Sequence, residues 1–167
     1  NGTVFALGGG MYNSAVASVE AFDLAAGAHW TPLAASMTTP RYNHAAAVLR
    51  GLIYAAGGSS NGGNSLASVE RFDGGAHSTW APVPASMTTA RAYFALVALE
   101  EGGAGVPPGG LLVAAGGVGN NDNVLASAEA FGPAAPGAAW AAIASLATGR
   151  SWCAGAALHG KAYVSGG

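Results

Sequence analysis

The 167-residue chain holds one cysteine, Cys153, so no disulfide can form within it, and a reducing, cytoplasmic setting is expected. Only 8% of its residues are charged, with a formal net charge of −2. A balance that small offers no electrostatic attraction for nucleic acid or an anionic surface. No apolar run approaches the roughly 18 residues that a membrane helix needs. Partners of both kinds, nucleic acid and membrane, are therefore not expected. Helical segments are equally scarce: Ala45 to Leu49 has the propensity but is short and close to Gly51. The opening residues read as a strand, which leaves no signal or transit segment in view.

Small apolar residues fill the space that charge leaves. Hydrophobic residues make up 51% of the chain, and there are 27 glycines. They are arranged in a repeat. Arg41 to Gly58 (RYNHAAAVLRGLIYAAGG) returns at Arg91 to Gly117 and at Arg150 to Gly167, and its second half opens the chain at Thr3 to Gly9. The glycine pairs Gly8-Gly9, Gly57-Gly58, Gly116-Gly117 and Gly166-Gly167 are spaced by 49, 59 and 50 residues. Glu20, Glu70 and Glu129 keep the same step, as do Trp30, Trp80 and Trp140, and Arg41, Arg91 and Arg150. One insertion, Glu100 to Gly110 (EEGGAGVPPGG), accounts for the long interval.

Each period reads as four short strands. In the first, Thr3 to Leu7, Ala15 to Asp23 and Trp30 to Met37 are strand candidates, with Pro32 placing the last at a sheet edge. Asn43 to Leu49 and Leu52 to Ala56 then form a hairpin through Arg50-Gly51. Four strands at a period of about 50 predict an all-β fold, the blades of a β-propeller. The insertion sits in the hairpin between the first two strands of its blade and, with its glycines and prolines, is expected to be a mobile excursion. The chain begins and ends inside the pattern, as a fragment of a longer array would.

The order GG, SVE-x-F-D, W, ASMTT-x-R, two apolar strands and GG resembles the kelch repeat. The wording LASVERFD…STWAPVPASMTTARA is similar to that of the kelch-like (BTB-kelch) adaptor proteins. The third repeat departs from the pattern, with Gly132 where Asp23 and Asp73 stand and Val113 where Tyr54 and Tyr163 stand. The resemblance implies blades with the arginine-led strand innermost. Residues 1–40 then hold the last three strands of one blade, 41–90 and 91–149 hold whole blades (the second with the 100–110 insertion), and 150–167 hold two strands of a further blade. Open ends of this kind imply a capacity for self-association.

Repeated residues point to structure. The tryptophans are expected between blades with their N–H groups paired, and the Arg and Glu sets in hydrogen bonds inside each blade. Function is expected where the repeats differ, on loops held by the scaffold. The resemblance implies a partner-binding face made of two sets. The post-glycine set is Met11, Tyr12 and Asn13, then Ser59, Ser60, Asn61 and Asn64, then Val118, Asn120, Asn121 and Asp122. The post-arginine set is Tyr42 and Asn43, Ala92 and Tyr93, Ser151 and Trp152. Rigid aromatics among adaptable amides suit protein recognition.

The expected function is a non-enzymatic protein-interaction module with a protein partner and no cofactor, implied by resemblance to be the substrate-recognition part of a cullin-RING ubiquitin ligase adaptor. The alternatives are an actin or cytoskeletal scaffold and, further off, a kelch-fold copper radical oxidase or sugar isomerase. Cys153, Tyr93 and His44 match part of a copper radical set. Yet His29, His44, His77 and His159 are dispersed, with no His-x-x-x-His, no Gly-x-Ser-x-Gly and no phosphate-loop Gly-Lys-Ser/Thr.

Overall fold

The computed structural model describes residues 2–11, 14–25, 29–75 and 78–167. Strand β1 (Thr3–Leu7), the small hairpin β2 (Gly10–Met11) and β3 (Ser14–Ala15), β4 (Val19–Asp23) and β5 (Thr31–Pro32) come first, with β1-β4-β5 forming a three-stranded sheet. A four-stranded antiparallel sheet follows, β6 (Ala45–Leu49), β7 (Leu52–Ala56), β8 (Val69–Phe72) and β9 (Ala81–Pro82). The next is β10 (Ala95–Leu99), β11 (Leu111–Ala115), β12 (Ala128–Phe131) and β13 (Ala141–Ile143). A hairpin of β14 (Cys153–Leu158) and β15 (Lys161–Gly166) completes the described elements. No α-helix occurs among the described residues.

In both four-stranded sheets the strands follow chain order, and β10 packs against both β6 and β14, so the arginine-led strands lie side by side. Their hairpins close through Arg50-Gly51 and His159-Gly160, all four residues at φ of 49 to 76°. Two consecutive positive φ values mark the type I′ turn that matches strand twist.

The outer strands are shorter than the sequence predicts. Only two residues of Trp30 to Met37 form ladder pairs. Leu33 N still donates to Val19 O at 2.9 Å, so Pro32, which has no N–H, occupies the position whose nitrogen faces away from β4, at the sheet edge. Likewise the ladder at Ala15 to Asp23 begins only at Val19, Ala15 being taken by the small hairpin, and Asn43 to Leu49 pairs from Ala45.

The core lies in the seams between sheets. Trp80 stacks on Phe72 at 5.3 Å and packs with Val19 and Met37 of the preceding unit, and Trp140 stacks on Phe131 against Tyr54, Val83 and Met87. A buried indole removes about 200 Å² from water, on the order of 5 kcal/mol. The indole Nε1 atoms of Trp80 and Trp140 nevertheless lack hydrogen-bond partners, contrary to expectation, since aromatic and aliphatic side chains fill both seams. Trp30, which tilts onto Phe22, is 43% exposed.

Between the seams lie two buried ion pairs. Arg41 Nη2 meets Glu70 Oε1 at 2.8 Å, and Arg41 Nη1 donates to the Gly57 carbonyl at 2.6 Å. Glu70 also accepts from Thr38 N and Oγ1 at 2.6 and 2.7 Å and from Thr39 N at 3.0 Å. Arg91 and Glu129 repeat the arrangement with Thr88, Thr89 and Gly116. The bonds thus reach beyond one blade, since each glutamate also holds the threonine loop of the preceding repeat. Burial would raise both carboxyl pKa values, but hydrogen bonds from the arginine and the first threonine outweigh it and hold them below 4.5.

The insertion is seated between neighbours and does not stand free. Glu100 accepts from Arg50 N at 3.2 Å, Glu101 lies 3.6 Å from the Arg50 guanidinium, and Val106 packs near Val97 and Val113. Gly103 abuts Gly160 on the other side, so closely that a Cβ would fall 2.7 Å from its Cα.

Removing one partner of a buried pair leaves a bare charge, whereas an exposed pair contributes little. Glu129→Ala is expected to lower unfolding free energy by about 3–5 kcal/mol, and Arg50→Ala by less than about 1 kcal/mol. Urea denaturation of the two variants checks the contrast.

Candidate functional site

The glycine pairs fix one face of the stack. A Cβ on Gly57 would lie 2.4 Å from the Arg91 carbonyl oxygen, and the N–H of Gly58 donates to that same oxygen at 2.9 Å. Both glycines have positive φ, 59 and 89°. Each pair therefore lets the backbone of the next repeat's arginine come close, and the loops that follow emerge together.

The residues after the arginines meet these loops. Tyr42 and Ser59 exchange backbone hydrogen bonds of 3.1 and 2.7 Å, and Ala92 and Val118 exchange bonds of 2.9 and 2.8 Å. Asn43, Tyr93 and Trp152 all adopt left-handed backbone, with φ of 54, 55 and 56°. Tyr93 N donates to Asn43 O at 2.9 Å and Trp152 N to Tyr93 O at 2.8 Å, a chain of bonds from one repeat to the next. Asparagine tolerates this conformation, whereas a bulky aromatic is strained there. The rings of Tyr93 and Trp152 contact each other, centroids 3.9 Å apart, and Trp152 is 73% exposed.

Nine of the sequence-predicted residues line one groove of about 400 Å³: Tyr42, Ser59, Asn64, Ala92, Tyr93, Val118, Asn120, Asn121 and Asp122. Asp122 is its one charged lining residue. Asn43, Asn61, Ser151 and Trp152 do not line it, although Trp152 adjoins it through Tyr93. Tyr12 and Asn13 lie outside the described residues, as does His77.

Several of these polar groups already have structural partners. The carboxamide oxygen of Asn61 accepts from Ala15 N, and that of Asn120 accepts from Ser65 N at 3.0 Å, so each latches its loop to the preceding one. Ser59 is buried, held by its bonds to Tyr42. Ser65, outside both predicted sets, also lines the groove and donates to the Val118 carbonyl at 3.2 Å. The signal for it was its place opposite Ser59 in the loop, where an isolated bridge forms.

Beneath this face lies His44, with a buried Nδ1 that has no partner. Burial, and secondly the charge of Arg41, lower its pKa to about 4. The Cys153 thiol points at backbone carbonyls, those of Tyr93 at 3.8 Å and Ala115 at 3.9 Å. Among the described residues no three of His, Cys, Asp and Glu gather closely enough to hold a metal.

Comparison with known proteins fits this geometry. A family model described as the Kelch motif matches residues 40–84. No curated protein matches the chain. A solved structure titled "Structure of YjhT" superposes with a TM-score of 0.74 at 13% identity, over 93% of this chain and 53% of that one. The chain thus spans about half the length of that neighbour, and the likeness is one of fold. The architecture is a kelch-type β-propeller, here as an open, incomplete ring.

The neutral His44 gives the fold a pH dependence of known sign. Its folded pKa lies below the unfolded 6.5, so the unfolded state binds the proton first. Stability should be full above pH 6.5 and fall by about 3 kcal/mol as pH drops to 4. Further loss follows below 4.5 as Glu70 and Glu129 protonate. Urea midpoints across this range should show His44→Gln flat between pH 6.5 and 4.5 but still acid-labile below.

Proposed function

We propose that the chain is a non-enzymatic protein-interaction module that receives a protein segment on the loop face, and that it serves as the substrate-recognition part of a cullin-RING ubiquitin ligase adaptor in the cytoplasm. The observation that carries the interaction reading is the Tyr93–Trp152 ring pair, one ring lining the polar groove and the other 73% exposed beside it. Rings held by a hydrogen-bonded backbone present contact area at small entropic cost. The amides and hydroxyls around them supply directional contacts, and Asp122 favours a cationic group on the partner. A kelch propeller fold supports interaction in general. The ligase role rests on the resemblance of the repeats to those of kelch-like adaptors.

The test replaces both aromatics by the asparagine that position 43 already carries. Relief of backbone strain offsets the lost ring contact, about 1 kcal/mol each way, so the melting temperature should hold. Affinity for a partner captured by the full-length protein should fall at least about thirtyfold, as for one hot spot of roughly 2 kcal/mol. Capture should also bring down a cullin. Unchanged binding in Tyr93→Asn/Trp152→Asn removes the site assignment, and capture without a cullin removes the ligase role.

A further inference from the structure

We propose that a groove between the two whole sheets, at the end of the strands away from the glycine pairs, binds an acidic protein segment through the guanidinium groups of Arg50 and Arg71. The chain has six cationic residues, and three of them, Arg41, Arg91 and Arg150, belong to the repeat. Arg50, Arg71 and Lys161 do not, and two of these three line a single groove. Arg71 stands on β8 where β4 carries Ala21 and β12 carries Ala130.

Strand pairing sets Arg71 opposite Tyr54, and its guanidinium bonds the Tyr54 hydroxyl. Burial raises the phenol pKa, so the hydroxyl keeps its proton and remains a donor. Arg50, on the turn between β6 and β7, lines the same groove of about 290 Å³, with Leu49, Leu52 and Pro133 as apolar walls. The insertion closes one side. A Cβ on Gly109 would lie 3.6 Å from Arg50 Nη1 and 2.3 Å from the Ala134 side chain. A second groove of about 300 Å³ continues past the same Tyr54, Arg71 and Pro133 to Val83 and Phe131.

The cationic groups here lack a close counter-charge. Arg71 makes no ion pair among the described residues. Glu101 Oε2 lies 3.6 Å from Arg50 Nη1, too far for a hydrogen bond, and accepts instead from Gly109 N at 2.7 Å. In a chain of net charge −2, two uncompensated guanidinium groups on one groove are a local reversal of sign. Guanidinium groups take carboxylates through paired N–H donors, and the apolar walls suit a neighbouring aliphatic side chain. A glutamate or aspartate beside an apolar residue on an extended segment satisfies both demands. The site is separate from the loop face, since Arg50 and the Gly57-Gly58 pair flank opposite ends of β7.

The probe is a short peptide of alternating glutamate and leucine, added to about 1 mM to the ¹⁵N-labelled chain while arginine Nε–Hε and backbone NMR signals are followed. Saturable shifts are expected at Arg50 and Arg71. Arg50→Gln and Arg71→Gln should each weaken binding at least about tenfold, and the glutamine version of the peptide should bind the wild type as poorly. Both arginines are exposed, so the melting temperature of these variants should hold. Glu101→Gln, which removes the nearest carboxylate, should tighten binding about threefold. Absence of saturable shifts overturns the proposal. So does equal binding of the glutamine peptide, unchanged affinity in the folded arginine variants, or a response to inorganic phosphate but not to the peptide.

Discussion

A carboxylate taken out of water must have its oxygens satisfied, and in this chain that requirement ties one repeat to the next. Glu70 and Glu129 each accept from an arginine of their own sheet and from the threonine loop of the sheet before. The arginines spend their other donors on the glycine and serine carbonyls that end the second strand and precede the third. An uncompensated buried charge costs several kcal/mol, so these contacts form together or not at all. Side chains elsewhere are small and mostly apolar. The pairs therefore supply directionality that alanine and valine cannot.

The glycine pairs follow from the same constraint. An arginine whose side chain anchors one sheet has its carbonyl taken by the glycines of the preceding one, and only a residue without a Cβ allows the approach. The indole seams then close around this frame. Two of them are complete and bury Trp80 and Trp140, whereas Trp30 remains half exposed. A frame built from neighbour contacts behaves as a one-dimensional array, in which each unit depends on those beside it.

The loop face inherits its rigidity from that frame. Asn43, Tyr93 and Trp152 share one left-handed conformation because each is fixed by a backbone bond to the neighbouring repeat. Asparagine meets the demand at ease, and the two aromatics meet it under strain. Strain of about 1–3 kcal/mol persists where the surroundings over-determine a residue, and such places cluster at binding sites. The polar loop residues divide between two tasks. Asn61 and Asn120 latch adjacent loops, while Asn64, Asn121 and Asp122 line the groove.

The repeat period, the two-residue hairpin turn at Arg50-Gly51 and the place of the insertion are legible in the sequence because each depends on local spacing or backbone chemistry. The post-arginine aromatics were legible for a different reason, as positions where otherwise similar repeats carry dissimilar side chains. Tertiary structure decided the rest. Pairing of the outermost strands came to two or three residues, in the proline-free β13 as in β5 and β9, because the chain turns away from the sheet there. The indole N–H groups went unpaired because the seams are lined by apolar atoms from two sheets at once. The insertion was drawn against Arg50 and Gly160, residues about 50 positions away on either side. Which asparagine latches and which faces the groove depends on the loop of the preceding repeat, a neighbour in space that sequence order does not reveal.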